Sequence, residues 1–202
     1  MERGRYIAFE GAEACGKSTH VSKLAKDIGA VATRETGGTR IGRLIRGVLH
    51  DTANLELTDK AEALLIAADR AQHLAEVVEP ALSSGRHVVS DRSVYSSLAY
   101  QSYGRTLAFG RVREINDWAV GGVWPDLVVL IDVEPAELAR RMEHRQLDRF
   151  EIAGEAFHQR VADGFLKMAA EDPQRWVVVD GNRSIGDVSS AIRAAVRERI
   201  GL

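Results

Sequence analysis

The sequence predicts an α/β fold: a three-layer domain with a five-stranded, mainly parallel sheet flanked by helices. Three observations lead there. Short apolar runs alternate with long helical patterns along the 202 residues. Several of the runs are almost continuous in Val, Leu and Ile, as strands buried on both faces require. A glycine-rich turn follows the first run and opens a helical pattern. Such alternation implies right-handed crossovers and a site at the carboxyl ends of the strands.

Taken in order, the strands are Tyr6–Phe9, Ala30–Thr33, His87–Ser90, Leu127–Asp132 and Trp176–Asp180. Helices are predicted over 17–28, 40–50, 59–83, 94–103, 109–121, 135–144, 153–171 and 184–199. Gly37-Gly38-Thr39 supplies a turn and an N-cap for the second helix. The third is the clearest, with Leu64, Leu65, Ala68, Ala71, Leu74, Ala75 and Val78 on one stripe of 3.6-residue period. Thr58 is its N-cap, and Pro80 must sit near its end or kink it. Pro135 suits a first helical position. The sequence carries no internal repeat, linker or low-complexity tract, so residues 1–202 read as one domain.

Composition narrows the function. With 45% hydrophobic residues the chain can bury a core of its own. A formal net charge of -2 argues against a nucleic-acid binder that works through bulk positive charge. The single cysteine cannot form an intramolecular disulfide, which fits a reducing compartment. Neither a signal peptide nor a membrane span is legible, so the expectation is a soluble, cytoplasmic protein. The six histidines are scattered without metal-ligand spacing and read as structural or surface residues.

Gly11-Ala12-Glu13-Ala14-Cys15-Gly16-Lys17-Ser18 matches G-x-x-x-x-G-K-[ST] and is followed by Thr19. With this composition the pattern arises by chance about 0.004 times per chain. It also lies where its mechanism needs it, between a strand and a helix, and implies a phosphate-loop NTPase fold. Backbone N–H groups there would cradle the phosphates of ATP, Lys17 would add a point charge, and Ser18 would offer a hydroxyl to Mg²⁺. Cys15, a thiol at a helix N-terminus near Lys17, is expected to react with alkylating agents. No Asn-Lys-x-Asp guanine reader occurs, and neither Asp91 nor Asp132 is followed by Glu. Both facts count against GTPases and motor-type ATPases.

Further clusters lie along the chain: Thr33-Arg34-Glu35-Thr36-Gly37-Gly38-Thr39, Thr58-Asp59-Lys60-Ala61-Glu62, Asp69-Arg70, Asp91-Arg92-Ser93, Ser96-Ser97-Leu98-Ala99-Tyr100-Gln101 and Leu147-Asp148-Arg149-Phe150-Glu151. In this order, from about Tyr6 to Asp180, the chain resembles the thymidylate kinases, which phosphorylate dTMP. The resemblance implies Mg-dependent transfer of the ATP γ-phosphate to dTMP, and a homodimer. By that resemblance Arg34 and Arg92 grip the acceptor phosphate, and Arg70 reaches the thymine carbonyl. Ile66, Ser96, Ser97, Tyr100 and Gln101 line the nucleoside pocket. Glu13 stands near the sugar 3′-hydroxyl, and Asp91 supports Mg²⁺. Arg140, Arg141, Arg145 and Arg149 belong to a small lid over ATP, about residues 140–153, with Arg145 and Arg149 as catalytic candidates beside Lys17, Arg92 and Glu13. Asn182 and Arg183 fall near the adenine.

Five positions depart from the family pattern. Ile66 stands where a phenylalanine usually stacks on the base, Thr36 replaces a proline, Ser93 replaces a tyrosine, and Ala14 and Cys15 occupy positions that are commonly Gly and Ala. Two other readings stay open on sequence alone: a kinase of the same fold for another nucleotide, and a nucleotide-binding protein that transfers no phosphate.

Overall fold

The computed structural model describes residues 2–143 and 146–202. Five strands, β1 (Tyr6–Glu10), β2 (Val31–Arg34), β3 (Val88–Asp91), β4 (Leu127–Asp132) and β5 (Trp176–Asp180), form one sheet in the order β2-β3-β1-β4-β5. Every pairing is parallel. Alternate side chains point to opposite faces. Ile7, Phe9, Val89, Val129 and Ile131 accordingly enter one apolar cluster, while Tyr6, Val88, Val128 and Leu130 enter the other. The near-continuous Val/Leu/Ile runs are thus explained by burial on both faces.

Strand ends differ from expectation by a residue. Ala30 belongs to the end of α1 (Lys17–Ile28), because its N–H bonds Ala25 O across the left-handed Gly29. β1 runs on to Glu10, and Arg34 and Asp91 pair at the ends of β2 and β3. These shifts put Glu10, Arg34 and Asp91 together on the carboxyl edge of the sheet.

The helices α2 (Arg40–His50), α6 (Phe109–Val120), α7 (Pro135–Met142), α8 (Glu155–Glu171) and α9 (Ile185–Ile200) lie close to their predicted spans. Thr39 Oγ1 caps α2 by accepting from Gly42 N at 2.9 Å, and Ser184 caps α9. Two long predicted helices are interrupted. Residues 59–83 form α3 (Asp59–His73), a π segment (Leu74–Val78) and α4 (Glu79–Ser83). Pro80 has no N–H to give the preceding turn, and the wider π ladder absorbs the missing bond. Residues 94–103 form α5 (Val94–Ser97) followed by a π segment, Leu98–Gly104. At its end Gly104 lies against Phe157, where a Cβ would come within 2.6 Å of the ring. Among the described residues no helix is long and apolar enough to cross a membrane.

Candidate active site

The carboxyl ends of the strands open into a cavity of about 480 Å³. One wall is the loop between β1 and α1. Gly11 has φ 138°, and a Cβ there would stand 2.6 Å from Ile131 O, so glycine is required. Gly16, at φ 98°, begins α1 in a left-handed conformation. Ala14 adopts φ 60° without being glycine, at a cost of about 1–2 kcal/mol. Lys17 is buried, and its Nζ donates to Ala12 O at 2.7 Å and Gly11 O at 3.2 Å. Burial and Arg92 oppose its charge, but Cys15, Glu13 and Asp91 outweigh them and raise its pKa. Ser18 Oγ donates to Asp91 Oδ2 at 2.5 Å, which joins the two residues predicted to serve the metal.

Cys15 requires a correction. Its side chain is 2% exposed and packs with Ile7, Phe9 and Ile131 beneath the loop. A thiol in that position is shielded from alkylating agents, because the Sγ points into the core rather than into the cavity.

Across from the loop stand arginines from three elements. Arg92, at φ 72°, donates to the Glu13 carboxylate, to Ser96 Oγ at 3.1 Å and to Tyr100 OH at 2.9 Å. Its guanidinium also lies 4.8 Å from the Tyr100 ring centroid. Burial alone would raise the Glu13 pKa, yet Arg92 and Lys17 hold this carboxyl well below the usual carboxylate range. Beneath them Glu10 is fully buried and accepts from Ser93 Oγ at 2.7 Å and Ser96 Oγ at 2.6 Å; burial pushes its pKa up. Ser93, in place of the usual tyrosine, is therefore a strut under Arg92. Arg34 is exposed and lines the cavity beside Arg46. Arg46 donates to Thr36 O and Oγ1, both at 3.3 Å.

Arg70 is 1% exposed. It donates to Glu35 Oε2 at 2.8 Å, Ser97 Oγ at 2.8 Å, Ser93 O at 3.0 Å and Asn116 Oδ1. A guanidinium has five N–H donors, so these four bonds leave one N–H over, on a residue that lines the cavity. Arg70, with His73 bonded to the other carboxylate oxygen at 3.1 Å, holds Glu35 below its ordinary pKa despite burial. Gln101 Nε2 donates to Glu62 at 2.9 Å, which fixes the amide orientation, and its buried Oε1 has no partner among the described residues. Ile66 gives the same wall an apolar patch.

The lid prediction fares differently. Arg149 is buried away from the cavity: its Nη2 donates to Glu62 at 2.5 Å and its Nε to Leu49 O at 2.8 Å. A catalytic role for it is corrected to an internal ion pair, because a fully buried carboxylate claims its charge. Arg140 pairs with Glu137 on the surface. Arg141 reaches the cavity and ties the loop to the end of β5, donating to Gly181 O at 3.0 Å and Ala14 O at 3.4 Å. Asn182 and Arg183 lie outside the cavity wall, engaged with Asp180 at 2.9 and 3.0 Å. Arg145 lies outside the described residues.

Sequence reading quoted Glu35, Thr36 and Phe150 in its clusters but gave them no site role, and it passed over Arg46 and His50; all five line the cavity. Arg46 and His50 were within reach of the pattern. They are four apart on a helix whose start was legible, and so share a face. Phe150 lay inside the Leu147–Glu151 cluster, where attention went to Arg149 and not to the ring beside it. His50, read as structural or surface, pairs with Asp148 at 2.7 Å at the cavity rim.

Cations gathered on two sides of one cavity suit transfer of a phosphoryl group between two polyanions, and the class so defined is the phosphate-loop nucleotide kinase. Comparison with known proteins narrows it. Residues 9–192 match the family model described as thymidylate kinase, and the chain belongs to that family. It is 46% identical over 200 residues to a thymidylate kinase of Desulforudis audaxviator, covering 96% of this chain and 90% of that one. It is 42% identical over 203 residues to one of Bifidobacterium longum, covering 96% and 98%. The crystal structure of the thymidylate kinase from Ehrlichia chaffeensis superposes with a TM-score of 0.80 at 27% identity, over 96% of this chain and 99% of that one.

Proposed function

We propose that the whole chain, 1–202, acts as one kinase domain that transfers the γ-phosphate of ATP to dTMP, giving ADP and dTDP. The observation that carries this reading is a cavity with Lys17 on one side and Arg34, Arg46 and Arg92 on the other. A phosphate monoester has a second pKa near about 6, so the acceptor is already largely a dianion at pH 7 and needs no general base. The work is positioning and charge neutralisation. Backbone N–H groups from Gly11 to Thr19, with Lys17, hold the donor phosphates, and Arg92 with Arg34 and Arg46 holds the acceptor phosphate. Glu13 keeps Arg92 aimed and lies near the sugar hydroxyl.

Ser18 and Asp91 would hold Mg²⁺. A hydroxyl and a carboxylate in contact suit a hard cation that keeps waters and takes its other ligands from phosphates. When bound, Mg²⁺ supplies neutralisation of the charge spread over the transferred group. Arg141, with Asn182 and Arg183 beyond it, borders the adenine side.

Base choice follows from two groups. The free N–H of Arg70 seeks an acceptor, and the unpartnered Gln101 Oε1 seeks an N–H. Thymine and uracil offer a carbonyl beside a ring N–H, whereas cytosine offers a ring acceptor and an amino donor. Ser97 orients Arg70, Tyr100 crowds the sugar, and Ile66 gives apolar contact in place of a stacked ring. Release of ADP from Mg-ATP with dTMP, dUMP, dCMP, dGMP, AMP or no acceptor tests this. Turnover is expected to be strongest with dTMP, weaker with dUMP and absent with dCMP. A preference for dCMP, or release that ignores the acceptor, would reject it.

We also propose a cytoplasmic homodimer. α2 packs on α3 and α3 on α6, and their outer faces expose Leu44 (63%), Leu64 (55%) and Trp118 (88%). A second copy covering these helices would remove the three side chains from water. Sedimentation is expected to give twice the protomer mass, with Leu44→Asp shifting it toward the protomer.

A further inference from the structure

The 148–151 turn, within the lid region, is fastened to the end of α2. Asp148 divides its carboxylate: Oδ1 accepts from the N–H groups of Phe150 (2.9 Å) and Glu151 (3.0 Å), and Oδ2 pairs with His50 Nδ1 (2.7 Å). Glu151 Oε2 accepts from Asp148 N at 2.8 Å, completing a capping box. The main chain adds Arg149 N to His50 O at 3.2 Å. Held this way, Phe150 tilts against the His50 ring at 5.1 Å and faces Tyr100 at 6.1 Å, and it forms part of the cavity wall.

The other edge of the imidazole looks toward the cations. His50 Nε2 lies 3.4 Å from Thr36 Oγ1, and that hydroxyl accepts from Arg46 Nη1. The donors can all point one way. Arg46 gives a proton to Thr36 Oγ1, the Thr36 hydroxyl gives one to Nε2, and Nδ1–H gives one to Asp148. A chain of hydrogen bonds with a single donor direction polarises its members cooperatively. It runs from an arginine on the acceptor-phosphate side to the aromatic wall on the nucleoside side. Among the common side chains imidazole suits the middle place, because it has one nitrogen on each edge.

We infer that His50 is a positioning residue of the acceptor site: through Asp148 it sets the Phe150 wall, and through Thr36 it links that wall to Arg46. This rests on the kinase reading for its kinetic consequence, although the link itself is a property of the nucleotide-free chain. The side chains that His50 joins, Arg46, Thr36 and Phe150, line the acceptor side of the cavity, and neither Lys17 nor Arg141 on the donor side takes part.

The test uses His50→Leu, which removes both nitrogens, and His50→Asn, whose amide restores a donor near Nδ1. Hydrogen exchange of the nucleotide-free protein reads the turn, and steady-state kinetics read the site. In His50→Leu the amides of Phe150 and Glu151 are expected to exchange about tenfold faster. The KM for dTMP is expected to rise about tenfold, with the KM for ATP within about twofold. His50→Asn is expected to recover the protection and most of the dTMP KM. Unchanged exchange in His50→Leu, a parallel rise of both KM values, or no recovery with Asn would overturn the inference. Failure of the wild type to phosphorylate dTMP would strike the kinase reading instead, and exchange would still decide whether His50 holds the turn.

Discussion

Lys17→Ala should lower kcat/KM for dTMP phosphorylation by about 10³-fold, the scale seen when a preorganised charge is removed from a phosphoryl-transfer site. The side chain is buried and its ammonium sits over the carbonyls of Ala12 and Gly11, at the mouth of α1. Its charge is held by Glu13 and Asp91, and the loop is shaped by Gly11 and Gly16 independently of it. The fold should therefore survive while ATP affinity and turnover fall together, because the lysine meets donor phosphates in both the ground and transition states. Circular dichroism and melting of the variant should stay near the wild type. Activity within tenfold of wild type would mean that another cation carries the donor side, and Arg141, bonded to Ala14 O across the loop, would be the one to replace next.

What the sequence revealed and what it hid separate along one physical line. Continuous apolar runs, period-3.6 patterns and the Gly–Lys–Ser turn depend on neighbours within a few residues. The five strands, the loop and most helix starts were accordingly legible. Errors arose where a distant residue decides. Arg149 looks like any lid arginine until Glu62, 87 positions away, is brought beside it. Cys15 reads as reactive because its neighbours are Gly16 and Lys17, yet the packing of Ile7 and Ile131 buries it. The role of Ser93 depends on Glu10, whose carboxylate lies under Arg92 only once β1 and β3 pair. His50 escaped notice for the same reason, since its partner Asp148 is 98 positions away.

The Glu62 cluster shows how such distant pairing sets both stability and specificity. Glu62 is fully buried and receives Arg149 at 2.5 Å, Arg105 at 3.0 Å and Gln101 Nε2 at 2.9 Å. It joins the first turn of α3, the π segment after α5 and the 148–151 turn. Glu62→Ala would leave the buried Arg149 with no carboxylate, only Leu49 O and the Phe150 ring, and Arg105 with the half-exposed Asp59 and the Phe157 ring. Stranding one member of a buried ion pair costs about 3–5 kcal/mol. At about 2–4 °C per kcal/mol for a chain of this size, melting should fall by about 10 °C. Glu114→Ala, which breaks an exposed pair with Arg111, should change stability by less than about 1 kcal/mol. A double variant, Glu62→Ala with Arg149→Ala, should lose less than the sum of the single losses, because it removes the stranded charge together with its partner. The kinetic consequence follows from Gln101. Once Nε2 loses its carboxylate, the amide is free to turn and Oε1 is no longer fixed toward the base. The KM for dTMP should then rise while that for ATP holds. A loss below about 1 kcal/mol in Glu62→Ala would mean that water reaches the arginines, and the fixed acceptor that selects an N–H on the base would have to be sought elsewhere.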